Sequence, residues 1–205
     1  MIVGIMIVGI VGGIGAGKST VRRLFAELGA ETVDADLLAH EALETPKVRK
    51  ALRSWLGDRA FETSGKVDRK MVASVVFSNP DKLKELEALV HPIVIRQLEE
   101  KVRLHSEKAT KGKLLVLDVP LLLSSPLRSR CQEILFVDAP LATRQSRVAE
   151  RGWTESELSS RESLQTPLDE KKRLSTVIVE SSGSLENTRE HVKRLYQSWT
   201  TDGEP

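Results

Sequence analysis

"VGGIGAGKST", residues Val11 to Thr20, is the stretch on which the reading of this chain turns. It satisfies the pattern G-x-x-x-x-G-K-[ST] with Gly12, Gly17, Lys18 and Ser19. Each residue type has a physical reason to be there. Glycines let the backbone turn tightly, so that successive N–H groups point inward at phosphate oxygens. A lysine brings a compact positive charge to the outer phosphates, and a serine hydroxyl can ligate Mg²⁺. The helix that follows aims its positive dipole end at the same anion. Short patterns also arise by chance, so the surroundings matter. An apolar β-branched run precedes the loop, and Val21, Leu24, Phe25 and Leu28 follow at i, i+3, i+4 and i+7 before Gly29. Strand, loop and amphipathic helix are all predicted, with a purely structural glycine turn as the alternative.

Upstream, Met1-Ile2-Val3-Gly4-Ile5 is repeated at once as Met6-Ile7-Val8-Gly9-Ile10. A strand of about 5 to 6 residues is usual, so the second copy suffices. The first is an upstream start, a cloning scar or an earlier beginning of the same strand. This apolar start has no basic flank and is too short for the ~20 residues of a spanning helix, so no membrane association is expected.

Composition frames the class of protein. The chain has 205 residues, 40% hydrophobic and 29% charged, enough for one cored domain with a subdomain. Lys plus Arg number 31 against 29 Asp plus Glu, a net charge of +2 that does not favour nucleic acid as a partner. The single cysteine, Cys131, excludes an internal disulfide and fits a reducing, cytoplasmic setting.

Three further segments, "AETVDADLL", "KLLVLDVPLL" and "EILFVDAPL", read as strands ending in an aspartate. Their alternation with helical stretches predicts a parallel α/β sheet, whose ligands sit at the carboxyl ends of the strands. Asp34, Asp36, Asp118 and Asp138 are therefore candidates for chemistry. Asp34 and Asp36 are two apart and, in an extended segment, share one face. The alternative is that Asp36 caps a helix over Leu37 to Leu43 and that Asp118 and Asp138 only close strands before Pro120 and Pro140.

Residues 45 to 110 change character, being helical and charged with a turn at "ETSGKVDR". Leu83, Leu86, Leu89, Val90, Ile93, Val94 and Leu98 recur at helical spacing, and Pro92 is expected to kink or break the run after His91. No two of the four histidines have H-x-x-x-H spacing. After the last aspartate-ending strand, Arg147 and Arg151 are predicted i, i+4 on one helix face, with Arg161 on a second helical stretch. Such guanidinium groups can close on a transferring phosphoryl group or stack on a purine; the alternative is a solvated charged helix interleaved with Glu150, Glu155, Glu157 and Glu162.

From Met6 to about Leu195 the chain resembles the dephospho-coenzyme A kinase family. The resemblance rests on "GGIGAGKSTV", "VDADLLAHE", "GKVDRKMVASVVFSNPDKLKELEALVHP", "LVLDVPLLL", "VDAP" and "SSGSLE", in order and at matching intervals. It implies an α/β fold: a P-loop kinase core with a parallel five-stranded sheet flanked by helices, a helical acceptor-binding insertion and a lid. The core would comprise residues 1–44 and 111–205, with the lid at about 151–170, and the coenzyme A subdomain residues 45–110. It also implies transfer of the γ-phosphoryl group of ATP to the 3′-hydroxyl of dephospho-coenzyme A, with Mg²⁺. Gly12, Gly13, Ile14, Gly15, Ala16, Gly17, Lys18, Ser19 and Thr20 would cradle ATP, Ser19 would face the metal and Asp36 would be the base. Arg147 and Arg151 would lie by adenine and phosphates, while Asp34, His91, Asp118 and Arg161 would belong to the acceptor side. A monomer or weak homo-oligomer is expected.

The chain departs from the family pattern in two places. Val11 stands where family members usually carry Thr, and Glu180-Ser181 where an Asp-Asn pair is common. Neither is expected to touch the loop or the Asp36 position. Another small-molecule P-loop kinase, for instance of nucleoside monophosphates, is the second reading. A non-kinase nucleotide switch is the third, but it lacks its N-K-x-D and D-x-x-G signatures.

Overall fold

The computed structural model describes residues 6–108 and 112–201, so the first copy of the repeated pentapeptide lies outside the described residues. Along the chain run β1 (Met6–Gly12), α1 (Lys18–Glu27), β2 (Glu31–Asp34), α2 (Ala35–Leu43), α3 (Pro46–Leu56), α4 (Arg69–Phe77) and α5 (Pro80–Lys108). There follow β3 (Leu114–Asp118), β4 (Glu133–Asp138), α6 (Leu141–Ala149), α7 (Glu155–Glu162), α8 (Leu168–Arg173), β5 (Val177–Glu180) and α9 (Leu185–Thr200). The chain divides into two compact units: residues up to Asp34 together with those from Val102 onward, and Ala35–Lys101.

The first unit is built on a five-stranded sheet in the order β2-β3-β1-β4-β5, with every pairing parallel. The order reverses beside β1, which places the loop after β1 at the switch point where such sheets bind ligands. The three central strands β3, β1 and β4 are nearly continuous runs of buried, mainly Val, Ile and Leu residues because both faces are covered, while the edge strands β2 and β5 each bury one residue. On one face Val21, Leu24 and Phe25 of α1 pack with Val8, Ile10, Leu135, Val137 and Val192, and Phe25 stacks on Trp199 of α9 at 5.8 Å between ring centroids. Burying each large apolar side chain contributes about 1.5–3 kcal/mol, so this layer holds α1, and the loop in front of it, against the sheet. On the other face a Cβ at Gly9 would stand 2.1 Å from Leu122 Cδ2. Glycine there lets the short turn Leu122–Ser124 lie directly on β1.

The second unit is helical apart from one antiparallel bridge, Phe61 to Val67, that closes the predicted turn. Its buried residues include Leu38, Ala42, Val48, Leu52, Ala60, Val67, Val72 and Val76. Glu44 ties two of its parts together, accepting from the Val67 N–H at 2.9 Å and pairing with Arg49. Arg49 and Arg53 both lie over the Phe61 ring.

Two expectations are corrected here. Of the two outcomes expected at Pro92, a kink or a break, the break does not occur: α5 runs through it from Pro80 to Lys108. Proline removes one N–H donor and crowds one carbonyl, a cost of about 3 kcal/mol, and burial of Val90, Val94, Leu98 and Val102 along the same helix outweighs it. Asp34 and Asp36 do not share an extended segment either. β2 ends at Asp34, and Asp36 is the second residue of α2, inside the first turn rather than at the cap. A carboxylate there is still favoured by the helix dipole.

Candidate active site

The backbone of Gly12–Lys18 forms the predicted loop. Gly15 at φ 77° and Gly17 at φ 95° adopt left-handed conformations that a side chain would strain, and Gly17 is the N-cap of α1. Gly17 supplies no capping side chain to the first turn of α1, and N–H groups at a helix start suit an anion. Lys18 curls back over the loop, its Nζ donating to the Gly13 carbonyl at 2.9 Å and the Gly12 carbonyl at 3.4 Å. Ser19 is exposed beside it. Arg22, one turn further on, ties two strand ends together: it pairs with Asp34 at 2.6 Å and with Asp118 at 3.4 Å. The carboxylates of two neighbouring strands are thus brought together at the carboxyl edge of the sheet.

The segment from α6 to α8 closes on the same loop. Arg144 is 5% exposed and so close to Gly13 that a Cβ there would meet its Cδ at 3.0 Å. Its guanidinium donates to Glu162 Oε1 at 2.5 Å and to the Ile14 carbonyl at 3.4 Å. The same Glu162 oxygen accepts from the Ile14 N–H at 3.1 Å. Arg147 donates to the Gly15 carbonyl at 3.2 Å and to the Ser181 hydroxyl and carbonyl. From α8, the buried Lys171 donates to Gln165 Oε1 at 2.7 Å and to the Gly12 carbonyl at 3.4 Å. Burial, then the charge of Lys18, lowers its pKa to about 8. Asp138 accepts from Lys172 at 2.7 Å and holds that ammonium above the usual lysine range, which fits the reading of Asp138 as a strand-closing residue.

Some predicted positions differ from expectation. Arg151 lies beyond the end of α6, in the turn completed by Gly152 at φ 81°, and so does not share a helix with Arg147. The left-handed glycine follows a helix that ends two residues short of Arg151. Arg161 is on α7 as expected, its guanidinium 4.1 Å above the Trp153 ring. Ser181 is not remote from the loop: its hydroxyl donates to the Ala16 carbonyl, so that departure from the family pattern does touch the phosphate site. Asp36 and His91 are both exposed, on α2 and α5. Arg144, Glu162, Gln165, Lys171 and Arg22 were missed as site residues by sequence reasoning. For Arg22 a signal existed, since it follows Lys18 by one helical turn; the others lie in charged runs that read equally well as solvated surface.

These residues fit a nucleotide's phosphates. The loop offers a concave row of N–H groups, and an oxyanion, the Glu162 carboxylate, already accepts from one of them. A family model for dephospho-CoA kinase matches residues 6–187. The chain belongs to the dephospho-CoA kinase family. A dephospho-CoA kinase from Carboxydothermus hydrogenoformans is 35% identical over 197 residues, covering 94% of each chain. A crystal structure of TT1252 from Thermus thermophilus is 36% identical, with a TM-score of 0.72 over 94% of this chain and 97% of that one. Dephospho-CoA kinase from Campylobacter jejuni, 20% identical, shares the fold with a TM-score of 0.72 over 96% and 98%. Membership of a kinase family implies the use of ATP. Among the described residues no helix is long and apolar enough to cross a membrane.

Proposed function

We infer that this dephospho-CoA kinase transfers the γ-phosphoryl group of ATP to the 3′-hydroxyl of dephospho-coenzyme A through Lys18, Asp36, Arg147 and Arg151. The observation that carries the reading is the convergence of Lys18, Arg144 and Lys171 on the Gly12–Ile14 backbone, in a chain matched by that family's model along most of its length. So much positive charge around a row of inward N–H groups suits a polyphosphate.

Gly12 to Thr20 hold the phosphates, and Lys18 exchanges its carbonyl partners for the β- and γ-oxygens. Ser19 would hold Mg²⁺, which would supply positive charge to offset that of the phosphates. The Asp36 carboxylate takes the proton of the acceptor hydroxyl as the oxygen bonds to phosphorus and the bond to the ADP leaving group breaks. Arg147, which donates to the Gly15 carbonyl of the loop, and Arg151 serve the adenine and phosphate side. Asp34, Asp118, His91 and Arg161 are assigned to the acceptor, residues 45–110 to its subdomain and residues 151–170, approximately, to the lid. We place the protein in the cytoplasm as a monomer or weak homo-oligomer.

A panel of acceptors with γ-labelled ATP, including dephospho-coenzyme A and the common nucleoside monophosphates, with Mg²⁺ and with chelator, tests the reading. Label should enter dephospho-coenzyme A at the 3′-position and depend on Mg²⁺. Faster labelling of a nucleoside monophosphate would overturn it.

A further inference from the structure

Lys171 is among the few charged side chains buried in this protein, 4% exposed, and its position against the loop is not explained by packing alone. Its hydrogen-bond acceptors are neutral: the Gln165 amide oxygen at 2.7 Å and the Gly12 carbonyl at 3.4 Å. The Gly12 carbonyl is also 3.4 Å from Lys18 Nζ, so two ammonium groups share one backbone oxygen. The nearby carboxylate, Glu162, already serves Arg144 and the Ile14 N–H. A buried ammonium whose acceptors are neutral and whose neighbours include other cations is disfavoured in its charged form, and an arriving anion favours it.

We propose that Lys171 is a second phosphate-directed ammonium, brought to the loop by α8, that binds a proton when the nucleotide's phosphates arrive. The proposal rests on the assignment of the loop to a nucleotide. Its protonation is set by groups from three elements: Lys18 on α1 and Arg144 on α6 disfavour the charge, and Glu162 on α7 favours it, on top of burial. The resulting pKa of about 8 lies below the ordinary lysine value of 10.5, so at pH 9 most free protein carries Lys171 neutral. Phosphate oxygens beside Nζ reverse the balance, and the amine takes a proton from the buffer on binding. Ligand-free protein gains stability as pH rises from about 8 toward 10, because the unfolded chain binds a proton that the folded one does not. Nucleotide affinity falls over the same window.

Titration calorimetry with MgADP at pH 7, 8 and 9, in buffers of different ionisation enthalpy, reads the proton directly. For the wild type, uptake should be small at pH 7, about half a proton at pH 8 and nearly one at pH 9, with Kd about tenfold weaker at pH 9 than at pH 7. Lys171→Met should bind more weakly, with no uptake and a Kd that does not change with pH. Lys171→Arg, permanently charged, should regain affinity and still show no uptake. Uptake persisting in Lys171→Met, or Lys171→Arg binding no better than Lys171→Met, would overturn the proposal. Wild-type binding without proton uptake at pH 9 overturns it from the unaltered protein alone, should Lys171→Met fail to fold. Absence of any MgADP binding by the wild type would instead remove the nucleotide assignment of the loop, and Lys171's role with it.

Discussion

The loop between β1 and α1 and the segment that leans on it, α6 to α8, contribute to one site but cohere in different ways. The loop is closed by neighbours in sequence: Lys18 donates to Gly13 and Gly12, five and six residues back. The α6–α8 segment is closed by distant partners, Glu162 to Ile14 across 148 positions and Lys171 to Gly12 across 159. Local closure follows from backbone conformation and needs only glycines and a helix start. Distant closure needs the whole sheet in register first, and then a match of charges that no short pattern records.

Breaking each half should therefore have a different signature. Lys18→Ala should have the largest effect, lowering kcat about 10²-fold or more while leaving the melting temperature nearly unchanged, because the ammonium serves phosphates rather than packing. Steady-state kinetics and a thermal melt on the same preparation check it. Unchanged kcat in a folded variant would remove the loop from the chemistry.

Arg144→Ala should do the reverse and chiefly cost stability. It leaves Glu162 against the loop without its cation, and with side chains 6% and 22% exposed the pair is shielded enough for this to cost about 2–4 kcal/mol. In a chain of this size that lowers the melting temperature by on the order of 5–10 °C. The double variant Arg144→Met/Glu162→Leu should recover much of the loss. A single variant that melts with the wild type would show that the segment is held by something other than this pair.

The smallest effect belongs to the far end of α7. Thr154 and Glu157 form a reciprocal cap there, and Thr154→Ala should cost about 1 kcal/mol, seen as faster amide exchange confined to Glu155–Glu162. Exchange unchanged in α7 would mean that the cap does not hold this helix.

The same contrast explains what was legible in the sequence. The strand–loop–helix start, the three strands ending in Asp34, Asp118 and Asp138, and the helical character of the stretch that begins at residue 45 followed from periodicity and glycine placement. The path of α5 through Pro92 did not, because a local penalty there is outweighed by burial elsewhere along the helix. Nor did Arg144 and Lys171. Each lies in a charged stretch that looks solvated until the loop is laid against it.

The assignment of proton abstraction to Asp36 is the central mechanistic claim, and one substitution separates it from a purely structural role. Asp36→Asn keeps the shape of the side chain in the first turn of α2 and removes only its charge and its capacity to accept a proton. kcat with dephospho-coenzyme A as acceptor should fall about 10²-fold or more, with MgADP affinity and melting temperature close to wild type. A variant that melts a few degrees early but turns over at the wild-type rate would contradict this, leaving Asp36 as a helix-terminus charge and moving the search for the base to Asp34 and Asp118.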